Sequence, residues 1–135
     1  MKKKTAWEKL KCGKQPKIVE DYKDGRMLVS TPEEVESFVA KIPQGHVITL
    51  TELRNQLAHA HGADLTCAMS TAIFLNVVAR AHAEREAETG KPGVPWWRVL
   101  RANGSLNDKF PGGAAEQARR LRLEGLDQFQ PSGRT

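Results

Sequence analysis

The sequence predicts an α+β fold, mostly helical, with a helix-turn-helix core and a small β-hairpin beside it. Three observations carry that expectation. Thr31-Pro32-Glu33-Glu34 and Thr49-Leu50-Thr51-Glu52 each set a Thr three residues ahead of a Glu at the head of an apolar run, the signature of a capping box. Asn103-Gly104 is a strong two-residue hairpin signal, because both central positions of a type I′ turn need positive φ. Hydrophobic residues make up 39% of the 135, enough for one small core. No apolar run approaches the ~20 residues of a membrane helix.

Taken in order, residues 1–30 lack clean periodicity and read as a basic, extended N-terminal arm that packs through Trp7, Ile18 and Val19. The domain proper is expected over 31–126. Its first helix starts at the Thr31 cap, with Pro32 at the first helical position, and runs to about Lys41 with Val35, Phe38 and Val39 on one face. Pro43-Gln44-Gly45 is a turn and His46-Val47-Ile48 a short strand. The second helix starts at the Thr49 cap, buries Leu53 and Leu57, and stops at Gly62. Asp64 or Thr66 is expected to cap a third helix that buries Met69, Ala72, Ile73, Val77 and Ala81. Its charged end, Ala83 to Thr89, projects into water, and Lys91-Pro92-Gly93 breaks it. Trp96 to Leu100 reads as a strand, and Ser105 to Phe110 as its hairpin return. Pro111-Gly112-Gly113 opens a last helix, Ala114 to Glu124, with Ala115, Ala118 and Leu121 inward. A polar tail fills 127–135. This order is that of a winged helix-turn-helix.

The formal net charge of +5 is unevenly placed. Residues 1–26 hold nine Lys and Arg against four Asp and Glu, and residues 91–122 hold seven against two. Residues 27–90 hold four against eight. Two basic blocks therefore flank an acidic middle, and both could meet phosphate or simply solvate the surface. The N-terminus begins like a charged leader, but no apolar segment follows, so no signal peptide is expected. Cys12 and Cys67 show no zinc or CxxC spacing and read as reduced thiols of a cytoplasmic protein. His59-Ala60-His61 reads as surface rather than as a metal site. No metal and no cofactor are expected.

Two segments carry a family resemblance. The stretch VPWWRVLRANGSLNDKFPGG, Val94 to Gly113, resembles the active-site strand and wing of the 6-O-alkylguanine-DNA alkyltransferases, whose pattern is PCHRV, a Gly-bearing turn, then a GG pair opening a helix. Arg98, Val99, Gly112 and Gly113 match it. In IPQGHVITLTELRNQLA, the residues Ile42, Pro43, Gly45, Val47, Thr49 and Leu53 stand where the family's IPxGxVxT pattern wants them. Trp96 occupies the position of the reactive cysteine and Trp97 that of the neighbouring histidine. The thiolate is the only group that could accept the alkyl in that chemistry, and an indole cannot replace it. The alkyltransferase-like proteins, which bind alkylated DNA without repairing it, also carry Trp at the cysteine position and are the nearest reading.

The resemblance implies a non-enzymatic, monomeric binder of double-stranded DNA that meets 6-O-alkylguanine and hands it to another repair protein. It places Trp96, Trp97 and Leu50 at the alkyl and base pocket, Leu50 standing where the family has a tyrosine. It places Thr51, Thr66, Ser70, Thr71, Arg98, Arg101, Asn103, Lys109 and Gly113 against DNA. The family's inserting arginine aligns near Ala68, and no Lys or Arg occurs between Arg54 and Arg80, so the third helix is equally readable as core alone. Adjacent strand residues face opposite sides, so one Trp is expected in the core and the other, Trp96, in the pocket. Glu124, with no Cys or His to serve, is expected in a salt bridge or a helix-end contact. The rival reading is a protein- or RNA-interaction module on the same fold.

Overall fold

The computed structural model describes residues 5–23 and 25–130. It is an α+β fold, about half of it helical. Helix α1 (Ala6–Leu10) opens with a capping box in which Thr5 accepts from the Glu8 amide and Glu8 returns the bond to Thr5. Strands β1 (Lys17–Tyr22) and β2 (Gly25–Val29) form an antiparallel hairpin. The stretch expected as an extended arm therefore holds a helix and a hairpin. Trp7 packs edge-on to His82, 5.6 Å between ring centroids. Ile18 packs against the main core.

Helix α2 (Pro32–Val39) starts where the sequence put it, with Thr31 Oγ1 accepting from the Glu34 amide at 3.1 Å. The box is only half made. Glu34 turns its carboxylate to Ser30 and His61 instead of to the cap's own amide. Strand β3 (Ile48–Thr49) leads into α3 (Leu50–Ala60), whose Thr49–Glu52 box is complete in both directions, at 2.7 and 3.1 Å. His61 closes α3, and Gly62 follows at φ +63°.

Strand β4 (Leu65–Thr66) joins β2 in parallel, giving a three-stranded sheet β1-β2-β4. Helix α4 (Ala68–Thr89) then runs 22 residues. Neither expected residue caps it. Thr66 donates its hydroxyl to the Arg54 carbonyl at 2.8 Å, and Asp64 accepts the Arg26 amide at 2.8 Å, so both are already engaged; Cys67 stands at the cap.

The face of α4 differs from expectation. Thr71, Leu75, Val78 and His82 are buried, while Met69 is 75% exposed and Ile73 53%. Apolar residues occupy nearly every side of residues 69–81, so periodicity does not choose a stripe. The packing of α1 and α2 against the helix chooses it. Of the expected set only Ala81 is fully buried.

Trp96–Arg98 is a single 3₁₀ turn rather than strand, set by Pro95, whose carbonyl accepts the Arg98 amide at 3.0 Å. Strand β5 (Val99–Leu100) pairs with β3 in parallel. The expected antiparallel return does not form. Only Gly104 of the Asn-Gly pair is left-handed, at φ +85°, which excludes a type I′ turn. The loop spans three residues instead, closed by Arg101 N–H to the Ser105 carbonyl (2.9 Å) and Gly104 N–H to the Arg101 carbonyl (2.8 Å). Helix α5 (Gly113–Leu123) buries Gln117, Ala118 and Leu121, and leaves Ala115 exposed.

Candidate nucleic-acid interface

Gln117 is a polar residue with no exposed surface, and its amide is fully used. Its Nε2 donates to the carbonyls of Trp97 and Val99, both at 3.0 Å, and its Oε1 accepts the Asn107 amide at 2.7 Å. One side chain of α5 thus takes the place of the missing return strand and fixes the wing, residues 101–110. Buried amides are stable only when satisfied in this way.

The two tryptophans do not divide between core and surface. Trp96 is 1% exposed and Trp97 8%. A 3₁₀ turn advances about 120° per residue, so neighbours need not oppose as they do in a strand. The indoles meet edge to face at 5.5 Å, and Phe110 meets Trp96 at 5.2 Å. The Arg120 guanidinium lies 4.8 Å from the Trp96 ring centre and 4.9 Å from that of Trp97, while bonding Glu86 and Glu116 at 2.8 Å each. A cation on two indole faces is worth about 1–2 kcal/mol when desolvated. The Trp96 indole N–H has no acceptor among the described residues.

Trp97 has one. Its Nε1 donates to Glu124 at 2.8 Å. Glu124 also takes the Arg98 fork, with Nη2 at 2.7 Å and Nε at 3.0 and 3.1 Å, and the Gly45 amide at 3.1 Å. Arg98 Nη1 donates to the Ile42 carbonyl at 2.6 Å. The ion pair expected for Glu124 is therefore present, and it ties the end of α5 to the Pro43–Gly45 turn. Burial pushes the Glu124 carboxyl up, but Arg98, the Trp97 indole and the Gly45 amide outweigh it and hold it below the ordinary value. Arg119 and Arg120 hold Glu116 down at about 2, against its own burial.

Both shifts carry one sign. A carboxyl depressed in the folded state stabilises fully above its ordinary value of about 4.5 and loses that contribution as pH falls toward the folded value. Thermal midpoints should stay level from pH 7 to about 5 and fall steeply between about 4.5 and 2. Glu116→Gln should start lower and fall less. A midpoint flat to pH 2.5 would refute the assignment.

An open cleft of about 310 Å³ lies elsewhere on the domain, beside α4. Leu50 from α3, Leu75 and Asn76 from α4, and Leu100 form its walls, with Arg101 and Lys109 of the wing at its edge. The structure thus brings Leu50, Arg101 and Lys109 together, and Trp96 and Trp97 are outside the cleft lining. Thr51 and Asn103 are exposed, though the Asn103 carboxamide oxygen accepts from the Ser105 amide and hydroxyl. Thr66 and Thr71 are buried and bonded to the backbone, and Arg98 is committed to Glu124; none of the three presents a free donor at the surface. Ser70 and Gly113 are half-buried. Cys67 is half-buried; the Ser70 hydroxyl lowers its thiol pKa, with burial opposing and the nearby amides and Arg54 assisting. Lys2, Lys3 and Lys4, also candidates for phosphate, lie outside the described residues. Sequence reasoning missed Gln117 and Arg120. Both sit in an Arg-rich stretch that reads as a solvated helix face.

The α+β fold is consistent with a DNA-binding domain of winged-helix-like type. The chain belongs to the family of the 6-O-methylguanine DNA methyltransferase DNA binding domain, whose model matches residues 30–126. DNA is the partner that this domain supports. No curated protein and no solved structure gives a significant match. Among the described residues, no helix is long and apolar enough to cross a membrane.

Proposed function

We propose that the protein binds duplex DNA at 6-O-alkylguanine without accepting the alkyl group and leaves the lesion to another repair protein. One pairing of features supports this most. A concavity of about 310 Å³ opens beside α4 and the wing, and the residue at the family's alkyl-acceptor position is Trp96, buried and with no sulfur to offer. The cleft is at the small end of ligand pockets, in the range that suits one extruded base. Leu50, Leu75 and Leu100 suit the apolar face of the base and its alkyl group, and Arg101 and Lys109 suit the adjoining phosphates.

Incubation with a duplex carrying a labelled 6-O-methyl group is expected to leave the protein unlabelled, and anisotropy titration to give tighter binding to that duplex than to plain DNA. Stoichiometric label on Cys67 or Cys12 would make the protein an alkyltransferase after all. Equal affinity for both duplexes would remove damage recognition and leave plain DNA binding. A second reading, an interaction module, is favoured by one observation: Met69 and Ile73 stand exposed on a stretch of α4 that carries no cation before Arg80.

A further inference from the structure

Helix α4 begins without a side-chain cap, and its start is held from outside. The turn that leads into it, residues 61–67, is bonded to strand β2. The Asp64 amide donates to the Arg26 carbonyl at 2.9 Å, and the Cys67 amide to the Leu28 carbonyl at 2.8 Å. In return the Arg26 amide donates to the Asp64 carboxylate at 2.8 Å, and Arg26 Nη1 reaches the Gly62 carbonyl at 3.1 Å. Gly25 leaves room for that carboxylate: a Cβ there would stand 2.4 Å from Asp64 Oδ2. The N-terminal extension meets the far half of α4 as well. Trp7 of α1 packs on His82, and the Arg85 guanidinium lies 3.8 Å from the Trp7 ring centre.

At 22 residues α4 is about 33 Å long. Ala72, Leu75 and Asn76 of its first half line the cleft of about 310 Å³. The helix is apolar on nearly every side of residues 69–81, and apolar packing is non-directional, so packing does not fix a single tilt. Hydrogen bonds to the turn are directional and do. Helix α1 and the β1–β2 hairpin lie outside the family-matched residues 30–126, yet they grip both ends of the helix that walls the cleft.

We propose that α1 and the β1–β2 hairpin act as a brace that sets α4 against the wing in the arrangement that binds DNA, with Arg26 and Asp64 as its positioning residues. The brace itself need not touch DNA. The proposal rests on the DNA-binding reading and extends it to a part of the chain outside the matched domain.

Removing an anion favours binding to a polyanion, so charge alone predicts that Asp64→Ala binds DNA as tightly as the parent or more tightly. Loss of the brace predicts the opposite. Anisotropy titration of the full chain with a 6-O-methylguanine duplex is expected to show Asp64→Ala weaker by about fivefold or more, the lower end of coupling between separate sites. Asp64→Asn keeps an acceptor for the Arg26 amide and is expected to bind at least as well as the parent. Gly25→Ala changes no charge, displaces the carboxylate and should weaken binding as Asp64→Ala does. Combining the two should add nothing, since both break one tie. The salt slope should keep the parent value, because no phosphate contact is lost. Asp64 is exposed, so the α5 amides should keep the parent's exchange rates while the Cys67 amide exchanges faster. If Asp64→Ala binds as tightly as the parent, or Asp64→Asn is as weak as Asp64→Ala, the hairpin sets nothing at the cleft and the DNA-binding reading stands. If the parent binds no duplex, both fall.

Discussion

Trp96→Ala is expected to destabilise the protein by about 3–5 kcal/mol, the cost of removing a large aromatic from a core that cannot collapse around the space. Four groups depend on that ring: Trp97 and Phe110 meet its edges and faces, Arg120 lies over it, and the 3₁₀ turn carries it. Domains of this size are stable by only about 5–15 kcal/mol, so the variant sits near its unfolding threshold. Trp96→Phe keeps an aromatic for Arg120 and removes the unpartnered N–H, and is expected to cost less than half as much. Urea unfolding of the three proteins measures both. A loss below about 1 kcal/mol for Trp96→Ala would show that the indole is not a core element, and would return it to the role of pocket wall.

The second large effect is expected at Glu124. Glu124→Gln preserves shape but leaves the Arg98 guanidinium, whose side chain is 13% exposed, without its counter-charge. Breaking a buried pair from one side costs about 3–5 kcal/mol. The double variant Arg98→Met/Glu124→Gln should recover a good part of the loss, because it removes the stranded charge as well. A single variant within 0.5 kcal/mol of the parent would mean that water already screens the pair. In the resemblance, this carboxylate serves a cysteine and a histidine. In this chain an indole N–H stands at the histidine position and bonds the same carboxylate, so the link persists without a proton that it can relay.

Much of the fold was legible because its signals are local. The Thr31 and Thr49 caps, Gly62 after α3 and the Gly pair at the head of α5 are written within four residues of where they act. The family was legible at Arg98, Val99, Gly112 and Gly113. What stayed hidden is non-local. The pairings β3 with β5 and β2 with β4 involve two residues on each side and leave no pattern in either strand. The hairpin at 17–29 lacks alternation, because Ile18 and Val19 are adjacent and Lys17 and Glu20 are exposed. The face of α4 could not be read from a segment apolar all round. The Trp pair does not alternate as strand residues do, since Pro95 bends the chain into a turn just before them. For the candidate site, Leu50, Arg101 and Lys109 were singled out from sequence and share one cleft; Gln117 and Arg120 look like surface residues until α5 is seen against the wing.

The Gln117 bonds have a consequence for how the molecule opens. A wing held by its own ladder could fray and reform while the rest of the domain stayed closed. This wing closes its own turn at Arg101–Ser105 and is tied beyond it, through the Asn107 amide, to a carboxamide of α5 that also holds the Trp97 and Val99 carbonyls just before it. That anchor moves with α5. Wing and last helix therefore form one cooperative unit, and the Asn107 amide should exchange with solvent at the rate of α5 unfolding rather than at the rate of a free loop.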